Sequence, residues 1–159
     1  MTNHVNLSMQ NYAPFYFVYA LLRGPWKARV FHGRRVLAVH GATGEKRTRI
    51  LAGLEREGVS EVHWLAISAE RSLFDQIDCL PWRGRIDLCV VGAGIGKPNI
   101  LLQLRELQVP CIDAGYVFEV WANPVTALSR AYMTPDADPA SARLDFLNRT
   151  ERKLLRKND

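Results

Sequence analysis

Three short apolar runs in this chain each stop at a glycine-bearing turn. Arg35–His40 (RVLAVH) halts at Gly41, Asp87–Val91 (DLCVV) runs into Gly92, and Val109–Ile112 (VPCI) is followed by Asp113 and Gly115. A fourth run, Glu61–Ile67 (EVHWLAI), lies between the first two. Thr48–Glu57 places Ile50, Leu51 and Leu54 at helical spacing and ends at Gly58, and Asn99–Leu107 reads as a helix with Pro98 at its first turn. Ser68–Leu80 is polar, then mixed, with room for a short helix. Strand alternating with helix is the pattern of crossover connections. It predicts an α/β fold, a Rossmann-like three-layer sandwich around a mostly parallel sheet of about four strands. The near-continuous apolar character of the runs fits strands covered on both faces. Ligands of such sheets bind beyond the carboxyl ends of the strands. Here those ends are His40-Gly41, Val91-Gly92 and Ile112-Asp113.

A chain of 159 residues with 48% hydrophobic content suffices for one core without disulfides or a structural metal. The runs divide it into an N-terminal arm with an apolar helix (1–29), the sheet domain (30–142) and a basic amphipathic C-terminal helix (143–159). The apolar helix is read over residues 12–23 (YAPFYFVYALLR) and ends at Gly24-Pro25. It is too short to span a bilayer and lacks the basic n-region of a signal peptide, so cytoplasmic residence is the default expectation. Its aromatic residues suit contact with a protein partner or a second copy of the chain. The net charge of +5 is mild, and the segment from Arg143 to Asp159 supplies much of it with six Lys/Arg against three Asp/Glu. Such a helix more often docks with one solvated face than it binds nucleic acid. Cys79, Cys89 and Cys111 form no CxxC pair, which argues against zinc; they read as buried thiols in a reducing compartment.

The strongest local motif is Gly92-Ala93-Gly94-Ile95-Gly96-Lys97-Pro98-Asn99. Glycines after a strand let the backbone turn tightly and approach a ligand, with the amides of the following turn available to a phosphate or carboxylate. The third glycine falls one residue early for a dinucleotide fingerprint, and Pro98 stands where a P-loop needs Ser or Thr. A tight turn without a ligand is the bland alternative. Gly41, Ala42 and Thr43 form a second, weaker turn. Asp113, with Gly115 behind it, is placed either to hold a hydroxyl or to cap the next segment. Asp136-Ala137-Asp138 copies a metal-binding spacing but sits between Pro135 and Pro139, as a solvated turn would. Among the histidines, His40 alone falls at a presumed cleft.

Taken in order, Arg34-Arg35-Val36-Leu37, Ile67-Ser68-Ala69-Glu70 with Phe74-Asp75, the Asp87–Gly94 stretch and Cys111-Ile112-Asp113-Ala114-Gly115 resemble the C-terminal half of bacterial GT-D-fold glycosyltransferases, over roughly residues 30–122. The resemblance implies a Rossmann-like sheet that binds a nucleotide-sugar donor and transfers its sugar with a divalent cation, manganese or magnesium. Gly41, Ala42, Thr43, Gly92, Ala93, Gly94 and Gly96 would then meet the donor, and Asp113 and Gly115 its hydroxyls. Lys97 and Lys46 would be the cations that stabilise the leaving diphosphate, and Glu119 the base for an acceptor hydroxyl. The Asp-x-Glu metal motif of that family occurs nowhere in this chain, and Tyr116 stands where many members carry His. No metal ligand is therefore assigned. Two readings stay open: a glycosyltransferase-like domain, and a non-catalytic structural or interaction subunit that keeps the truncated fold.

Overall fold

Side chains along the first strand alternate between two separate cores, and the rest of the architecture follows from that alternation. The computed structural model describes residues 15–129. Strand β1 (Arg35–His40) sends Val36 and Ala38 to one face and Leu37 and Val39 to the other, all four fully buried. Strand β3 (Leu88–Gly92) does the same with Leu88 and Val90 against Cys89 and Val91. This period of two is the geometry of a pleated strand buried on both sides. Strands β2 (Glu61–Ala66) and β4 (Cys111–Asp113) flank them, giving the order β2-β1-β3-β4 with every pairing parallel. The expected α/β sandwich is present, with four strands.

One face is covered by α3 (Gly44–Arg56) and α5 (Val117–Ala122), with α1 (Phe15–Arg23) and α2 (Lys27–Phe31) beside them. Phe31, Phe118 and Trp121 meet there edge-to-face, with ring centroids 5.8 and 5.1 Å apart. The other face is covered by α4 (Lys97–Leu104) and by the segment between β2 and β3, which contributes Ile77, Cys79, Trp82 and Ile86. That segment holds two short 3-10 turns, Ser72–Phe74 and Leu80–Trp82. Asp87 fastens its end to the start of β1. Its carboxylate accepts the Arg35 amide at 2.8 Å and the guanidinium at 2.8 and 3.2 Å, which draws the Asp87 carboxyl down to about 2.

Several boundaries differ from the sequence reading. Helix α3 begins at Gly44, four residues early, because Glu45, Lys46 and Arg47 are exposed and leave no apolar period to read. Helix α4 starts at Lys97 and tightens into a 3-10 turn over Arg105–Leu107, closed by Gln108 at φ 55°. Strand β4 starts at Cys111 instead of Val109, since Pro110 has no amide to give the ladder; its carbonyl still accepts the Cys89 amide at 2.9 Å. Helices α2 and α5 were not anticipated. The boundary placed at residue 29 falls inside α2, so the N-terminal helices belong to the sheet domain's own packing.

Helix α1 buries Leu22 in the core, while Phe17 on the same helix is exposed. Arg23 and Lys27 both pair with Glu57, at 2.9 and 2.7 Å, and hold α1 and α2 against the end of α3. Among the described residues no helix is long and apolar enough to cross a membrane. The arm before residue 15, the Asp136–Asp138 turn and the helix expected over 143–157 lie outside the described residues.

Candidate functional site

In this strand order the chain turns one way from β1, through α3 to β2, and the other way from β3, through α4 to β4. The connections that leave the two central strands therefore diverge at their carboxyl ends, which leaves a crevice at the switch point. His40 and Gly92 are register partners at that place. A cavity of about 550 Å³ opens there. The β1–α3 connection lines it with His40, Gly41, Ala42, Thr43 and Lys46; the turn after β2 with Ile67, Ser68 and Ala69; the turn after β3 with Gly92, Ala93 and Gly94.

Local structure explains why these residues shape a hollow. A Cβ on Gly92 would lie 2.6 Å from both the His40 Cδ2 and the Phe118 Cδ2, so the glycine admits the His40 ring of the wall and the buried Phe118 ring packed against it. Gly94 has φ +52° with nothing within 4 Å of an added Cβ, so it makes the turn and leaves space beside it. Thr43 stands in an extended conformation at the N-cap of α3, and its side chain makes no capping bond. The first amides of a helix have no partner within it and carry the positive end of its dipole. Thr43, Ser68 and Lys46 thus border one space beside the N-terminus of α3, a set suited to an anion such as a phosphate.

Seven of the sequence candidates, Gly41, Ala42, Thr43, Lys46, Gly92, Ala93 and Gly94, line this cavity together. Gly96, Lys97, Asp113, Gly115 and Glu119 are not among its lining residues. Gly96 serves packing: a Cβ there would fall 2.3 Å from the Ser72 Oγ and 2.4 Å from the Ser72 carbonyl carbon. Lys97 Nζ pairs with Asp113 Oδ2 at 2.7 Å and joins the start of α4 to the end of β4. Gly115 makes the turn after β4 at φ +46°. Glu119 meets the cavity only through Lys46, whose Nζ lies 2.6 Å from its Oε1. The sequence reading missed Ile67, Ser68 and Ala69 as lining residues. The available signal was positional, because they follow the carboxyl end of a strand adjacent to β1.

His40 sits in the wall of the site. Its Nδ1 accepts the Ala42 amide at 2.9 Å, which places the ring proton on Nε2 in the neutral form. The ring lies against Phe118, with centroids 4.5 Å apart. Burial, and then the Lys46 ammonium, push its pKa below the ordinary value, while Glu119 acts in the opposite sense. The unfolded chain takes up this proton near pH 6.5, whereas the native state resists it to lower pH. Unfolding therefore binds protons in that window, and stability falls as pH drops below about 6.5. The expected result is a thermal midpoint that declines on acidification. In His40→Gln the decline is shallower; an unchanged slope would show that His40 titrates alike in both states.

A divalent cation does not fit this donor set. The lining offers no carboxylate and no thiol, its imidazole already accepts an amide through Nδ1, and its one charged group is an ammonium. Of the acids around it, Glu119 and Asp113 are each paired with a lysine, and the Asp75 carboxylate accepts the Ser68 amide. No group of three or more His, Cys, Asp or Glu side chains placed to hold a metal ion occurs among the described residues.

The fold and crevice define an α/β domain with an anion-suited hollow at its topological switch point. No family model matches the chain, and no curated protein or solved structure matches it.

Proposed function

We propose that this chain is a glycosyltransferase-like domain of the GT-D type that holds the diphosphate of a nucleotide-sugar in the crevice between β1 and β3. One observation carries the reading. The two glycine turns singled out in the sequence border one cavity, with the N-terminus of α3 and Lys46 at its wall. Amide donors and an ammonium supply the charge compensation that a cation would otherwise give the diphosphate. The His40 ring adds an aromatic wall, backed by Phe118. Binding on this basis needs no divalent ion.

A second reading, a non-catalytic interaction subunit, draws on the ion pairs. Lys97 and Glu119, the residues assigned to catalysis through the resemblance, are each engaged across elements, to Asp113 and Lys46. Groups held that way stabilise the approach of α4 to β4 and of α3 to α5, and they do so without any substrate.

Thermal unfolding with UDP- and dTDP-sugars, in manganese and in chelator, tests both. A ligand at a hundred times its dissociation constant adds about 2.7 kcal/mol of stability, which raises the midpoint by roughly 5–10 °C in a chain of this size. The expected result is a shift of that order that survives chelation. Release of the nucleoside diphosphate from a bound donor marks a transferase; a shift without turnover marks a binding domain. No shift with any nucleotide-sugar in either condition overturns the nucleotide-sugar reading and leaves the subunit reading.

A further inference from the structure

We infer that Cys89 and Cys111 are a peroxide-responsive thiol pair, in which Cys111 is oxidised first and Cys89 resolves it into a disulfide joining β3 to β4. The inference is independent of what the crevice binds. The two residues are register partners on adjacent parallel strands, and both face the same core. Neighbouring strands run about 4.8 Å apart, which is within the Cα separation that a disulfide spans.

The pair is chemically unequal. Cys89 is fully buried, and Cys111 is half-buried at the start of the edge strand. The Cys111 thiol donates to the Val109 carbonyl at 3.5 Å, and the neighbouring Cys89 thiol favours the thiolate at Cys111 while its own ionisation is pushed up. Burial works against the Cys111 thiolate and is the smaller effect. The thiolate is the nucleophile in such chemistry, so reactivity and access coincide at Cys111. Cys79 is the third thiol of this core. Burial raises its pKa, and its sulfur donates to the Gln103 carbonyl at 3.6 Å.

Hydrogen peroxide is the oxidant. The Cys111 thiolate attacks one peroxide oxygen, the O–O bond breaks, and hydroxide leaves and takes a proton to become water. Cys111 is then a sulfenic acid. The Cys89 sulfur attacks that sulfur; the S–S bond forms, the S–O bond breaks, and the Cys89 proton departs with the oxygen as water. Two thiols have lost two electrons, and one peroxide has become two waters. The product closes a covalent tie between a central strand and a three-residue edge strand. That edge strand ends in Asp113, the partner of Lys97.

The test is a peptide map of the full chain after mild hydrogen peroxide and alkylation of the remaining thiols. Trypsin separates the three cysteines by cutting after Arg83, Arg85 and Arg105, while the Lys97-Pro98 bond resists cleavage. Cys79 falls in 72–83, Cys89 in 86–105 and Cys111 in 106–130. The expected result is 86–105 joined to 106–130 with the loss of two hydrogen atoms, while Cys79 stays alkylated. In Cys89→Ala, dimedone captures a sulfenic acid on Cys111, and in Cys111→Ser neither remaining thiol oxidises at the wild-type rate. A main product linked through Cys79, a disulfide between two chains, or no disulfide in the wild-type map overturns the inference. The wild-type map decides even if a variant fails to fold.

Discussion

Gly53→Ala lowers the stability of this protein by about 2 kcal/mol, although alanine is the better helix former by about 1 kcal/mol. Gly53 lies inside α3 and is buried against α5. A Cβ built on it falls 2.4 Å from the Trp121 carbonyl oxygen and 2.6 Å from the Trp121 Cβ. The obstructing oxygen is backbone, so no rotamer change relieves the clash, and α5 must withdraw. Trp121 is 1% exposed and packs edge-to-face on Phe31 and Phe118, so its displacement disturbs three aromatic side chains at once. Overpacking of a core costs about 1–3 kcal/mol, a clash with backbone stands at the upper end of that range, and the helix-propensity gain offsets about 1 kcal/mol of it. The thermal midpoint falls by roughly 4–8 °C. Glu55→Ala, at an exposed position of the same helix, stays near wild type. A midpoint raised by Gly53→Ala would mean that α3 and α5 do not meet in this way.

That contact also shows where the sequence stops being readable. Strands β1 and β3 were legible because complete burial on two faces leaves an unbroken apolar run, and a glycine then ends it. Helix α5 was not. Val117-Phe118-Glu119-Val120-Trp121-Ala122 has the β-branched and aromatic content of a strand, and it is helical because it docks on α3 and beneath β1 and β3. Helix α2 was hidden for another reason: it is five residues long and buries only Phe31. At the site, local sequence identified the two glycine turns, since close approach requires a glycine in the chain itself. It gave no account of Lys97 and Asp113, whose partnership depends on how α4 and β4 are set side by side, and spacing along the chain does not encode that. Gly96 looked like part of the ligand turn for a similar reason. Its requirement comes from Ser72, 24 positions earlier in the chain and brought against it by the segment after β2. The pairing of Cys89 with Cys111 is likewise a matter of register between strands.

Lys46→Glu weakens binding of UDP or dTDP by well over tenfold while the unfolding midpoint moves little. The two effects separate because they arise in different surroundings. Lys46 and Glu119 have side chains 46% and 38% exposed, and an ion pair of that kind contributes at most about 1 kcal/mol to folding. A charge-assisted hydrogen bond to a phosphate in the mouth of the cavity is worth about 1.5–3 kcal/mol, or roughly ten- to more than a hundredfold in affinity. Reversal of the charge adds repulsion, since a second carboxylate then stands beside Glu119. The nucleoside without its phosphates is the control: its weak binding is unaffected, because the loss lies in the charge term. Glu119→Gln acts in the other direction. It frees the ammonium from its competing partner, so diphosphate affinity rises or holds. Isothermal titration of UDP against the wild type and both variants reads these outcomes directly. If Lys46→Glu binds UDP as the wild type does, the phosphates do not lie in this crevice. If Glu119→Gln weakens binding as much as Lys46→Glu, the carboxylate is what positions the lysine for the ligand.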